Sequence, residues 1–157
     1  MKASVLGAIA VLLSAVVPPA HAAEPNGYWS VATSEGEIRL GLVFPEFSVV
    51  AVSVDNVTLL FDVSSTPPAG STVDILLTMP NRVGRYRGTV EIMQVDDRVI
   101  ARSATTFQDP LFGDLEKATS FSMTVAGQKN DLPVREVGPM VRRFLSDCRA
   151  PAAPRAQ

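Results

Sequence analysis

Histidine is almost missing from this chain. Its 157 residues include one, His21, and that residue falls in an N-terminal segment whose pattern predicts removal. Cysteine is equally scarce, with Cys148 alone. Together these shortages exclude a Ser-His-Asp or Cys-His arrangement within one mature chain, and with it the usual general base near neutral pH. They also exclude zinc sites of the common cysteine and histidine kind. Neither common Gly-rich phosphate loop is present. No sign of charge dominates, with 14 basic residues against 16 acidic, so nothing in the balance favours nucleic acid or an anionic membrane. No cofactor is expected. Long apolar runs are missing too, with one exception at the start.

That exception is Ala3 to Val17, apolar except for Ser4, Gly7 and Ser14, and preceded by Lys2. It is shorter than the ~20 residues a membrane-spanning helix needs. Pro18-Pro19 breaks it, and Ala20-His21-Ala22 has the small-x-small form that signal peptidase cuts. The segment predicts a cleaved secretory signal over residues 1–22, a single β-rich domain over 23–149 and a disordered tail over 150–157. The mature protein is then expected to be periplasmic or secreted, and not membrane-spanning.

What is present is alternation. Trp29, Val31 and Thr33 share one face of a strand, and Ile38, Leu40, Leu42 and Phe44 share another across Glu35-Gly36, a hairpin pattern. Trp29, the chain's one tryptophan, is expected to anchor a core rather than stack on a ligand. Pro45-Glu46 interrupts, and Ser48–Val54 and Val57–Val63 flank Asp55-Asn56, which suggests a second hairpin; one long strand with a bulge there is the alternative. Ser64–Ser71, with two prolines, reads as the loop where the chain crosses from one sheet to another. Thr72–Thr78 is a strand, Met79–Gly84 reads as loop, and Tyr86–Met93 and Arg98–Thr105 flank Val95-Asp96-Asp97 as a third hairpin. Asp109-Pro110 signals a short helix weakened by Gly113.

Ser120–Ala126 alternates again, with Phe121, Met123 and Val125 on one side. Gly127–Asp131 reads as a turn, and Leu132-Pro133-Val134 leads away. Val137, Met140, Val141, Phe144, Leu145 and Cys148 then fall three and four apart, one stripe of a helix beginning near Gly138-Pro139. A strand feeding such a helix is a latch on the sheet before it. Seven or eight short strands predict a mainly β fold, an antiparallel β-sandwich or small barrel closed by one C-terminal helix.

The chemistry left to such a chain is thin. Asp96 and Asp97 sit in a turn, and Glu35 and Glu37 flank another, positions that recruit acidic residues for local reasons. Asp55-Asn56 has no oxygen-rich loop around it for calcium. Arg82, Arg85 and Arg87 crowd around Tyr86. Arg85 and Arg87, two apart, share a strand face, where two guanidinium groups could clamp a carboxylate or phosphate. The plainer reading is a solvated edge whose charge blocks aggregation. Cys148 continues the helical stripe, so its free thiol is expected to face the sheet and react slowly, leaving a monomer.

The signal, the Tyr28-Trp-Ser-Val31 opening, the β-rich middle and the closing strand and helix that end Val-Arg-Arg-Phe-Leu-Ser-Asp-Cys148 together resemble small periplasmic proteins of alphaproteobacteria, of the invasion-associated locus B family. That resemblance implies an exported β-sandwich engaged in envelope or host contact, with no defined reaction. The chain is therefore expected to be a non-catalytic envelope or interaction protein whose partner is an envelope or host protein. The alternatives are a small-molecule or anion-binding module using Arg82 to Arg87, and a hydrolase built on two carboxylates in a cleft.

Overall fold

The computed structural model describes residues 27–34, 36–42, 47–53, 55–63, 67–94 and 97–150. The signal segment, Glu35, Phe44, Pro45-Glu46, Asp96 and residues 151–157 lie outside them. Nine strands follow in order: β1 (Trp29–Ser34), β2 (Glu37–Leu42), β3 (Phe47–Ser53), β4 (Asn56–Asp62), β5 (Thr72–Met79), β6 (Arg82–Ile92), β7 (Val99–Thr105), β8 (Phe121–Val125) and β9 (Gln128–Leu132). A short helix α1 (Leu111–Glu116) separates β7 from β8, and α2 (Val137–Arg149) follows β9. No helix among the described residues is long and apolar enough to cross a membrane.

The expected mainly β antiparallel fold with one closing C-terminal helix is found. All nine strands belong to one antiparallel sheet of order β1-β2-β3-β4-β7-β6-β5-β8-β9, which does not close. The crossing after β4 is thus not a passage between separate sheets. It carries the chain past the two places that β7 and β6 later fill, and the β5-β6-β7 meander then returns to pair β7 with β4.

The sheet curls into a sandwich-like form because its inner face is the apolar one. Leu40, Leu42, Val49, Leu59, Phe61, Ile75, Leu77, Met123 and Val125 are all buried there. Trp29 from β1 stacks on Phe121 from β8 at 6.3 Å, and Phe47 meets Phe121 edge-on at 5.5 Å, so the first and last parts of the sheet share one aromatic cluster. The Trp29 Nε1–H donates to the Pro133 carbonyl at 2.7 Å, across 104 residues of sequence. This bond links the beginning of one edge strand to the segment just after the other. The expectation that Trp29 is a core anchor holds.

The first three hairpins form as expected, with one shift: Ser53 pairs with Asn56 across a local bulge, so the second turn lies one residue earlier than Asp55-Asn56. Two stretches read as loop are strands. Met79 pairs with Arg82, so Pro80-Asn81 alone makes the turn and Arg82–Gly84 begin β6. Gln128–Leu132 is a ninth strand, paired with β8 from Val125↔Gln128 to Phe121↔Leu132. Its tight turn puts both Ala126 (φ 49°) and Gly127 (φ 83°) in the left-handed region, the geometry that matches strand twist in a two-residue hairpin.

The latch closes as the stripe predicts. In α2, Val137, Val141 and Phe144 are buried, and Met140, Leu145 and Cys148 pack half-buried against the same core. Phe144 stacks on Phe112 of α1 at 6.1 Å, with Phe107 edge-on to both. The two helices nearly touch: a Cβ on Gly138 would lie 2.5 Å from the Glu116 carbonyl oxygen, so only glycine fits.

Candidate functional site

Strand β6 alternates faces, and that separates the arginine cluster into two groups. Arg82, Gly84, Tyr86 and Gly88 pair with Met79, Leu77, Ile75 and Val73, the inward residues of β5. Arg85 and Arg87 pair with Leu76 and Asp74 and point outward. Arg82 therefore does not join Arg85 and Arg87, contrary to the sequence expectation.

On the inner side the centre is Asp109. Its Oδ1 accepts from the Tyr86 hydroxyl at 3.0 Å and from the Leu111 amide at 2.9 Å, and its Oδ2 accepts from the Thr105 hydroxyl at 2.7 Å. Arg82 approaches Asp109 at 3.8 Å and Asp114 at 3.4 Å. The Asp-Pro pair does precede a helix, with Pro110 rather than Asp109 at the cap and Asp109 two residues ahead of Leu111. Gly84 makes room: a Cβ there would come within 2.9 Å of the Tyr86 ring. Burial first, then the Asp109 charge and hydrogen bond, push the Tyr86 phenol well above its ordinary 10.0. It is held as a donor. A carboxylate that accepts three hydrogen bonds and faces an arginine has little free valence for acid-base chemistry, and this network reads as the clasp between α1 and the sheet.

On the outer side Arg87 reaches Asp74 only at 3.8 Å, both well exposed. No partner of Arg85 is found among the described residues. Asp74, Leu76, Arg85, Tyr86 and Arg87 line a shallow hollow of about 290 Å³, so of the expected group only Arg82 stays outside it. Two guanidinium groups there face one carboxylate.

The larger concavity was not visible in the sequence. A broad, open cleft of about 1190 Å³ lies where β5 and β9 end and β8 begins, walled by Thr78, Ser120, Ser122, Lys129, Asp131 and Arg135 among others. Thr78 pairs with Ser122 and Ser122 with Asp131, so the three stand in one row across the sheet's outer face. Lys129 and Asp131 pair along β9 at 3.4 Å. The polar alternates of Ser120–Ala126 are the one local signal of it. The row itself needs β9, which reads as a turn.

Cys148, in the last turns of α2, is half-buried against the core as expected. Burial first and then the neighbouring Asp147 push its thiol from 9.0 up to about 11. Glu37 is exposed, and Asp97 occupies a left-handed turn position at φ 56°.

Compared with protein-family models, with curated proteins and with solved structures, the chain matches none.

Proposed function

We propose that this chain is an exported, non-catalytic envelope protein that works by holding a protein partner in the cleft on the outer face of β5, β8 and β9. The observation that carries this is the cleft itself: about 1190 Å³, open, and lined by hydroxyls and charges of both signs beside apolar Met79, Pro80, Phe121, Leu132, Pro133 and Val134. Such a surface offers apolar contact flanked by polar groups and, among the described residues, no convergent acid-base pair, which suits an extended or flat partner better than a reacting substrate. The resemblance of both chain ends to the invasion-associated locus B family supports the same class of role. The Ala20-His-Ala22 pattern supports export, and intact mass of the periplasmic protein is expected to begin at Ala23 or Glu24. Full-length chain in the membrane fraction would contradict that.

The binding claim has its own test. The mature domain is used to capture partners from envelope extract, beside Ser120→Arg and Arg135→Glu, both exposed cleft positions. Loss of a captured protein with the two cleft variants, and its retention with Arg82→Gln, is the expected pattern. Equal capture by all three would remove the cleft from the account.

A second reading rests on Arg85 and Arg87, whose outward guanidinium groups outnumber their one nearby carboxylate. It predicts thermal stabilisation by phosphate or citrate that disappears when both become glutamine. A hydrolase built on two carboxylates has less behind it, because Asp109 is committed to Tyr86, Thr105 and the start of α1.

A further inference from the structure

Among the described residues the last strand of the sheet has one neighbour. β9 pairs with β8, and among the described residues no strand follows it in the sheet order. Its pairing fixes which of its backbone groups face outward. In a two-residue hairpin the pair that closes the turn exchanges hydrogen bonds, here Val125 and Gln128. Alternation then assigns the same inward role to Asn130 and Leu132, opposite Met123 and Phe121. The N–H and C=O groups of Lys129 and Asp131 are therefore the ones turned to the open edge.

Those two residues also carry the strand's only charges, of opposite sign and symmetric about Asn130. Their side chains are 63% and 72% exposed. Edge strands are commonly protected by a lysine, which repels an incoming strand. Here an antiparallel copy centred on Asn130 sets Lys129 against the partner copy's aspartate and Asp131 against its lysine. Both pairs coincide with the outward backbone groups, so each gains two main-chain hydrogen bonds along with its ion pair. The Lys129–Asp131 contact within one chain offers no resistance, since an exposed pair of this kind holds little energy.

We propose that β9 is a self-complementary edge through which two copies of this chain join their sheets about a two-fold axis at Asn130. Lys129 and Asp131 also wall the cleft, so the dimer shares these two side chains with the partner assigned there, and self-association is read with that partner absent. In the joined sheet both outer faces turn the same way, so the two clefts open on one side of the dimer. A five-residue strand buries little area, which places the contact among weak, concentration-dependent interfaces. The expectation of a monomer rested on Cys148 alone; β9 opens a route that needs no thiol.

Sedimentation velocity of the mature protein under reductant tests this, from micromolar to millimolar concentration and at low and high salt. The weight-average mass should climb toward twice the monomer at low salt and less so at high salt. Lys129→Asp and Asp131→Lys should each stay monomeric, since each sets like charges opposite each other twice. Mixing the two variants should restore dimer, because an all-acidic edge then meets an all-basic one. Matching urea midpoints for wild type and both variants will show that the fold is intact. A wild type that stays monomeric at millimolar concentration overturns the proposal. So do single variants that still dimerise, or a mixture that does not.

Discussion

Two faces of one strand give the arginines of β6 opposite roles. Arg82 shares its face with Tyr86 and joins a network around Asp109, a carboxylate with 15% of its side chain exposed. Arg85 and Arg87, one pleat away, stand in water with one distant aspartate between them. Residue type and local sequence are almost the same in the two cases. What differs is the surface each face meets: α1 and its aspartates on one side, solvent on the other. A guanidinium is thus structural or available according to the parity of its position.

The contrast breaks most severely at its centre. Asp109→Ala should cost about 2–4 kcal/mol, because it leaves the Tyr86 hydroxyl, the Thr105 hydroxyl and the Leu111 amide without their acceptor. Urea unfolding measures this, and a loss below about 1 kcal/mol would mean that the network is not a clasp. Gly84→Ala should follow, at about 1–3 kcal/mol, since its new methyl must displace the Tyr86 ring. The paired variant Gly84→Ala/Tyr86→Ala should then lose much less than the sum of the single changes.

The arginines themselves sharpen the comparison. Arg82→Gln should cost about 1 kcal/mol, as a half-exposed ion pair allows, whereas Arg85→Gln/Arg87→Gln should stay within about 0.5 kcal/mol of wild type. Equal costs on the two faces would erase the distinction.

pH supplies a further test. Tyr86 and Cys148 are acids whose folded values are raised by burial. Each keeps its proton in the native state where the unfolded chain has lost it, so stability is fully present below the unfolded values and falls as pH rises through them. For Cys148 the window runs from 9.0 to about 11. For Tyr86 it opens above 10.0. Tyr86→Phe/Cys148→Ser should flatten the alkaline decline seen by circular dichroism. A decline of the same steepness in the double variant would place its cause elsewhere.

How much of this was legible depends on whether a segment buries a face. β8 and α2 announced themselves because Phe121, Met123 and Val125, and then Val137, Val141 and Phe144, repeat at the spacing of their element. β9 did not, since Gln-Lys-Asn-Asp is the composition of a turn and only pairing with β8 holds it extended. Arg82–Gly84 reads as loop for a related reason: Gly84 is there to admit the Tyr86 ring, a contact with no local trace. Asp109-Pro110 marked a helix start, but its bonds to Tyr86 and Thr105 depend on β6 and β7 being brought beside it. The cleft is the extreme case. Its row of Thr78, Ser122 and Asp131 joins three strands whose register no single segment carries.

Amide hydrogen exchange on the mature domain, alone and with the partner proposed for the cleft, tests the account most directly. On the proposed function the binding face is the outward one, and the Asp109 side is structural. Protection should therefore appear at Thr78–Pro80 and Ala118–Ser122, away from the β9 edge, and leave Thr105–Glu116 unchanged. Protection confined to Thr105–Glu116, with Thr78–Pro80 and Ala118–Ser122 exchanging as before, would reverse the assignment of the two faces.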